Sequence, residues 1–522
     1  TGLATVYGNS VHGKGGISIT SGANVALTGK NGFGSLTVDE DSTVSADGDV
    51  YSHLGTGTLN LAGRAEFTVT DTISDDWTWN KTVAGEGMLV LGRTESPDVE
   101  RELLLDAGAI KEFRGTLSLE NWNITLLDEG NQTNDTLAAL SGSALKTLVI
   151  GTGASADITG NVNLSNMTVS VASGTLTFTG VDAPGGSNDE AAHLTVDRLE
   201  LGSDFVIDLG VTDPDVEAGS LLTQDTASGT TVTVATGLNG IGGTRDGHVT
   251  VNGSEVAEDD TIRFNIQQTS TEEAKDGKVA EGIYGVVIKK TSGDGDAENL
   301  VVEYTLKGVD IDDGRTLEMR GTSSDQNDDA NTFGAYLTGA GNLEIAAESV
   351  RLTATNSYTG TTTVASGATL YVDENSLGTD AASTASLNIA ESGAVHVNGN
   401  NVVRGIQNNG GLYLGSQYPT GDAGEADAPT LTLQSDVSAG SRIDGTLYGV
   451  GTLKVVGSGD VDNENPPADL TIVGSQGDFL GDLVLDLGAW VHLDATSSNL
   501  FGSSSSEASN EIQVSEDSLL TI

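Results

Sequence analysis

Cysteine is absent from this chain, which removes disulfide staples and thiol chemistry together. A chain exported unfolded across a second membrane benefits from that absence. Basic residues are scarce: 23 Lys and Arg stand against 75 Asp and Glu, for a formal net charge of −52. Nucleic acid is thereby excluded as a partner, because phosphate recognition needs clustered cations. Peripheral attachment to anionic lipid fails on the same ground. Aromatic residues make up 4% of the chain, too few for a series of bulky cores built on buried Trp and Phe. No apolar run approaches the ~18 residues of a membrane-spanning helix, so no membrane insertion by this segment is expected. No secretory leader stands ahead of Thr1, and Ser518–Ile522 reads as a strand without a closing feature, so a piece of a longer protein is the expectation.

What is present is glycine, 70 residues of 522, nearly twice the roughly 7% average, together with Leu, Val, Ile, Thr, Ser, Asn and Asp. β-Branched residues suit a pleated surface, and Gly, Asn and Asp permit turn dihedrals, so many short strands with tight turns are expected. Disorder is the rival for so polar a chain, and regular alternation argues against it. Leu59, Leu61, Ala65, Phe67 and Val69 alternate with polar residues. So, with small slips, do Leu194, Val196, Leu199, Leu201, Phe205, Ile207 and Leu209. Period two sends one set of side chains inward and the other to solvent.

One arrangement repeats. Gly85-Glu86-Gly87, Gly339-Ala340-Gly341 and Gly449-Val450-Gly451 each open an alternating run. Each is followed by an aromatic, one residue and a glycine: Phe113-Arg114-Gly115, Tyr358-Thr359-Gly360 and Phe479-Leu480-Gly481. Gly55-Thr56-Gly57 opens the same way without an aromatic-x-Gly element of its own. A constant spacing with variable intervening loops is how a stacked repeat reads. One coil cannot bury its own apolar face, so coils must pile up. At roughly 20–25 residues each, about 20 coils give a rod on the order of 100 Å long. The expected fold is all-β, a parallel β-helix forming a single elongated rod. The rival, a string of immunoglobulin-like sandwiches, needs longer strands and usually a buried Trp per domain; Trp77, Trp79, Trp122 and Trp490 are not spaced that way.

Three regions follow. Residues 1–212 read as N-terminal coils and residues 308–522 as C-terminal coils carrying the repeat. Residues 213–307 read as irregular coils or a hairpin extension, with long strands at Ile262–Ile266, Tyr284–Ile288 and Leu300–Tyr304 and a hairpin loop at Thr291–Asp296. Asn188–Leu194 and Thr271–Ala280 are the stretches with helical character.

Leu337-Thr338-Gly339-Ala340-Gly341-Asn342-Leu343, then Asn356-Ser357-Tyr358-Thr359-Gly360-Thr361-Thr362-Thr363-Val364, Gly367-Ala368-Thr369-Leu370 and Asn375-Ser376-Leu377-Gly378, resembles the autotransporter-associated β-strand repeat. Asn499-Leu500-Phe501-Gly502 closes the third copy in the same way. The resemblance covers 333–380 closely, 445–502 less so, and 83–120 in register only. It implies an AIDA-type autotransporter passenger: a right-handed, pectin-lyase-like β-helix exported through the periplasm and outer membrane by a C-terminal barrel that this sequence lacks. It also implies an extracellular place on the bacterial surface and a role in adhesion, aggregation or biofilm. It names no ligand.

The family also holds proteases and lipases. No Gly-Asp-Ser-Gly motif occurs, and Asp517-Ser518-Leu519-Leu520 lacks the glycine of a lipase motif. His12, His53, His193, His248, His396 and His492 show no metal-ligand spacing. No acid–base cluster rises above the background of carboxylates. An enzyme is not expected, nor is a cofactor. Calcium is the one ion with candidate loops, at Asp310–Gly314 and Asp460–Asn465, though neither fits the twelve-residue EF-hand pattern. Candidate ligand-binding residues are the paired asparagines Asn121 with Asn123 and Asn131 with Asn134, the acidic turn Asp310, Asp312 and Asp313, and the rare basic pair Lys289-Lys290. A turn or solvent role is the plainer reading for each. The expected function is adhesion to a host extracellular-matrix protein such as fibronectin, or to a glycosaminoglycan or other host glycan, through many modest contacts. Homotypic association that aggregates cells is the alternative, and it requires a face with few carboxylates.

Overall fold

Runs in which every second residue is aliphatic become strands that bury alternate side chains. Arg64–Val69 buries Ala65, Phe67 and Val69 and turns Arg64, Glu66 and Thr68 outward. The structure, a computed structural model, describes residues 5–8, 11–29, 31–47, 57–69, 76–94, 102–127, 133–134, 137–182, 184, 191–213, 215–224, 230–243, 247–256, 261–324, 331–378, 386–415, 428–434, 440–457, 469–473, 479–494 and 511–522. It is nearly all β, 61% strand and 4% helix, with extensive parallel sheets.

Within a sheet, neighbouring strands run parallel and in register, and the strands between them in the chain belong to other sheets. Thr43–Asp47 lies beside Arg64–Val69, then Met88–Arg93, then Thr116–Glu120. Trp77–Trp79, Glu102–Asp106 and Asn123–Leu127 form a second parallel set between those passes. Toward the C-terminus the same order recurs. Asn342–Ala347, Thr361–Val364, Ser386–Ile389 and Gly405–Asn408 make one sheet. Ser349–Leu352, Thr369–Val372, Ala394–Val397, Gly411–Leu414 and Thr446–Gly449 make the next. Asn401–Val403, Thr430–Gln434, Thr452–Val456 and Asp482–Asp486 make a third.

Register turns the inward residues into columns. Val350, Leu370, Val395, Leu412 and Leu447 succeed one another across five strands, and none is more than 1% exposed. Each aliphatic side chain so covered contributes about 1.5–3 kcal/mol, and its cover comes largely from the layers on either side.

The repeated Gly-x-Gly and aromatic-x-Gly elements meet in space, which explains why each keeps its internal spacing while the loop between them varies in length. Gly85, Gly339 and Gly449 adopt φ of 104°, 95° and 99°, left-handed backbone that a side chain strains. Their carbonyls accept from the N–H of Arg114, Thr359 and Leu480 at 2.8, 2.9 and 2.8 Å. Phe113, Tyr358 and Phe479, one residue earlier, are wholly buried. One residue later, a Cβ on Gly115, Gly360 or Gly481 would overlap the carbonyl oxygen of Gly87, Gly341 or Gly451. The Tyr358 hydroxyl is hydrogen-bonded to the buried Thr362 hydroxyl. Asn356, also buried, accepts from the Leu337 N–H at 2.7 Å and donates to the Ser376 carbonyl at 2.7 Å, tying three passes of chain together.

The middle of the chain pairs differently. Gly277–Ser292 lies antiparallel to both Thr261–Gln268 and Glu298–Ile311. Glu298–Ile311 also takes Thr230–Gly237 antiparallel, and Tyr336–Gly339 parallel, which returns the chain to the parallel layers. Phe264 packs edge-on against Tyr284 and Tyr304, 5.5 and 5.9 Å between centroids. The helical character expected at Asn188–Leu194 and Thr271–Ala280 is overturned. His193–Leu201 is a strand, residues 188–190 lie outside the described residues, and 271–280 holds only the three-residue 3-10 turn Glu273–Lys275 before a strand begins. Cross-strand pairing outweighs local propensity there. Trp77, Trp79 and Trp122 share one cluster rather than marking separate domains: Trp77 stacks on Trp122 at 5.7 Å and meets Trp79 edge-on at 5.9 Å.

Gly360→Ala is expected to lose about 1–3 kcal/mol in urea unfolding, because its new methyl meets a backbone carbonyl that cannot yield. Gly219→Ala, where a Cβ meets nothing within 4 Å, is expected to stay within about 0.5 kcal/mol of the parent. Equal losses would refute the glycine-on-carbonyl contact.

Candidate functional site

The same register that builds the core builds columns on the outside. Thr369–Val372, Ala394–Val397, Gly411–Leu414 and Thr446–Gly449 each direct their third residue outward. These residues are Tyr371, His396, Tyr413 and Tyr448, each paired in register with the next. Their rings stack at centroid separations of 4.7, 4.2 and 4.5 Å, with planes within 20°, 7° and 8° of parallel. The column beside them is small: Thr369, Ala394, Gly411 and Thr446. The Tyr413 ring leans over Gly411, and its Cε2 lies 2.8 Å from where a Cβ would stand, so the ring covers backbone the glycine leaves bare.

Neither of these columns carries a carboxylate. On the sheet reached through the turn at 390–393, the outward column from Thr363 through Asn388, Gln407, Arg442, Thr471 and His492 to Thr521 carries none either; acids begin on the other side of Thr363, at Glu344 and Glu318. Arg442 is paired with Asp444 at 2.6 Å and Arg351, in register with Tyr371, with Asp373 at 2.9 Å. His492 meets the Thr521 hydroxyl at 2.9 Å. In a chain of net charge −52, this is an outward strip of aromatic and neutral polar groups whose few guanidiniums are already matched.

Burial between two rings pushes His396 down to about 4, because the charged imidazolium is poorly solvated there. Burial also raises Tyr413, and the neighbouring phenols of Tyr448 and Tyr371 add to the shift. The imidazole of His396 is therefore neutral at physiological pH.

The residues singled out from the sequence do not assemble into one site. Asn121 sits in a turn at φ 60° and donates to the Arg93 carbonyl at 2.8 Å. Asn123 opens the next strand and accepts from the Ser155 hydroxyl at 2.6 Å. Asn131 lies outside the described residues. Asn134 belongs to Thr133–Asn134, which pairs antiparallel with the end of Asn123–Leu127. Asp310 accepts from Arg263 at 3.0 Å, Asp312 lies 3.7 Å from Lys278, and Asp313 is exposed. Lys289 is paired with Glu303 at 2.6 Å, and Lys290 donates to the Ile241 carbonyl at 2.7 Å. Most of these groups satisfy neighbours in their own chain. Asp460–Asn465 lies outside the described residues, and no group of three or more His, Asp or Glu poised for a metal occurs among the described ones. A shallow, open trough of about 350 Å³ crosses the N-terminal layers, lined by Glu40, Asp41, Gly63, Arg64, Glu86 and Gly87 among others.

In the sequence His396 reads as one of six scattered histidines. The signal that finds the stack is alignment of the short strands Thr-Leu-Tyr-Val, Ala-Val-His-Val, Gly-Leu-Tyr-Leu and Thr-Leu-Tyr-Gly, each with a ring at its third position. No family model, no curated protein and no solved structure matches the chain.

Titration of His396 followed by NMR is expected to show a midpoint near 4. The folded value lies below the ~6.5 of an unfolded histidine, so the contribution to stability is complete above that pH and is lost as pH falls toward 4. His396→Phe keeps a ring in the stack and cannot titrate. Its stability relative to the parent should therefore rise between pH 7 and pH 4, and a difference that stays constant would contradict the assignment.

Proposed function

We propose that this chain is the passenger of an AIDA-type autotransporter, a non-enzymatic adhesin on the bacterial surface that binds host extracellular-matrix protein such as fibronectin, or host glycan. In this reading the stacked parallel layers wind as one right-handed β-helix, an elongated rod held outside the cell after export through the periplasm and outer membrane. The repeat spanning 333–380 motivates the export route. The in-register parallel pairing of successive passes supports the winding.

The observation that carries the binding reading is the carboxylate-free strip. A partner of any charge approaches a surface of net charge −52 most easily where outward columns hold none of that charge. Thr, Asn and Gln along the strip offer donors and acceptors at the repeat of the strands, about 4.8 Å. Many such contacts in a row substitute for a deep pocket. The same strip favours a second reading, self-association: two like-charged chains can meet along a face without carboxylates, with remaining repulsion screened over about 8 Å at physiological salt.

Solid-phase binding to a panel of matrix proteins and glycosaminoglycans, with and without calcium, tests the first reading. Saturable binding to at least one member is expected. Asn388→Asp, which adds a single carboxylate mid-strip at nearly constant shape, is expected to weaken it about tenfold, roughly 1.4 kcal/mol. Absence of saturable binding throughout the panel would sink the adhesin reading. Sedimentation across concentration decides the second: a monomer at every concentration removes self-association.

A further inference from the structure

The rings of Tyr413 and Tyr448 stack on one another, 4.5 Å between centroids and 8° from parallel. They stand in register on adjacent strands, both half-buried at the outer surface. Tyr371 is separated from Tyr413 by the imidazole of His396. Tyr284 and Tyr304 are buried against Phe264, and Tyr358 is buried with its hydroxyl bound to Thr362. Tyr7 and Tyr336 are exposed and stack on no other ring among the described residues.

We propose that Tyr413 and Tyr448 form an oxidative cross-linking site, at which a one-electron oxidant of the peroxidase class, supplied with hydrogen peroxide, joins them as an intramolecular dityrosine. The step balances. Each phenol loses one electron and one proton to give a phenoxyl radical. The ring carbons ortho to the two oxygens form a carbon–carbon bond, and the hydrogen on each of those carbons moves to oxygen as the rings regain aromaticity. The two hydrogens removed overall reduce one hydrogen peroxide to two waters. The 4.5 Å separation is close to the centre-to-centre distance of the biaryl product, so coupling needs the rings to turn out of the stack and not to travel. Register holds the two radicals at contact distance, and that proximity makes intramolecular coupling outrun encounter between molecules.

The chemistry suits the chain. Without cysteine no disulfide can join one layer to the next. A link from Tyr413 to Tyr448 closes a loop through adjacent layers and removes conformations from the unfolded state, as other cross-links do. The proposal stands on ring geometry and is independent of the adhesin reading.

The test uses the whole chain treated with a haem peroxidase and hydrogen peroxide at several protein concentrations. Blue dityrosine emission is followed, and the products are mapped by mass spectrometry. The expected product migrates as a monomer, yields one cross-linked peptide pair containing Tyr413 and Tyr448, and forms in a yield independent of protein concentration. Tyr448→Phe and Tyr413→Phe keep the ring and should each abolish that peptide pair, whereas Tyr336→Phe should leave it unchanged. The isolated cross-linked monomer should unfold at higher temperature than the untreated chain. Yield that grows with protein concentration, cross-links that map to other tyrosines, or emission that survives in Tyr448→Phe would overturn the assignment.

Discussion

Parallel strands in register set each residue about 4.8 Å from its counterpart in the next strand, and most features of this protein answer to that constraint. Inside, like on like is favourable, and the columns of Leu, Val and Ile result. Outside, like on like is a danger for an acidic chain, because facing charges of one sign destabilise a strand pair. The outward columns answer it in two ways. Most place neutral groups on the sheet faces. At two places where acids face each other, a cation is close. Glu318 opposes Glu344, and Arg320 holds the first at 2.6 Å while Lys275 holds the second at 2.7 Å. Glu281 opposes Asp310 in the antiparallel region, and Arg263 reaches both, at 3.1 and 3.0 Å. Arg263, Lys275 and Arg320 are thus spent on alignments the register would otherwise forbid.

Glycine obeys the same constraint from the backbone side. Where one pass of chain crosses directly over the carbonyl of the last, there is no room for a Cβ, so Gly115, Gly360 and Gly481 each stand two residues after a buried aromatic and over the carbonyl of Gly87, Gly341 or Gly451. That spacing was visible in the sequence, and so was the alternation that buries Leu59, Leu61, Ala65, Phe67 and Val69. Both are local signals with a fixed physical cause. The aromatic stack was not visible in the same way. Tyr371, His396, Tyr413 and Tyr448 are far apart in the chain, and the loops between them differ in length, so no period brings them together until strand register is known. The helical character at Thr271–Ala280 misled for a related reason: propensity is read over neighbours in sequence, whereas Gly277–Ser292 is held by partners on both sides.

The candidate residues drawn from the sequence were chosen for charge or turn chemistry, and the structure employs most of them internally. Lys289 and Lys290 illustrate why. A lone basic pair in an acidic chain looks available for a polyanion, yet Glu303 and the Ile241 carbonyl lie within 2.6 and 2.7 Å of the two amines. In so acidic a chain even a rare basic pair is engaged by groups of its own chain first. The groups left for a foreign partner are then those with no charge to neutralise, the hydroxyls, amides and rings of the strip.

This inverts the usual inference from net charge. Strong acidity suggests a cationic ligand, but diffuse negative charge spread over a long surface selects weakly among cations and keeps copies of the chain apart. Discrimination comes from where the charge is missing. At a separation of about 8 Å the repulsion of the flanks has decayed substantially in physiological salt, so a partner that meets the strip squarely feels the aromatic edges and amides, whereas one that arrives elsewhere feels carboxylates. In the proposed reading, the register that favours neutral groups on the outward columns for reasons of stability also marks the face on which binding would cost least, so that one structural constraint bears on both the fold and the proposed contact face.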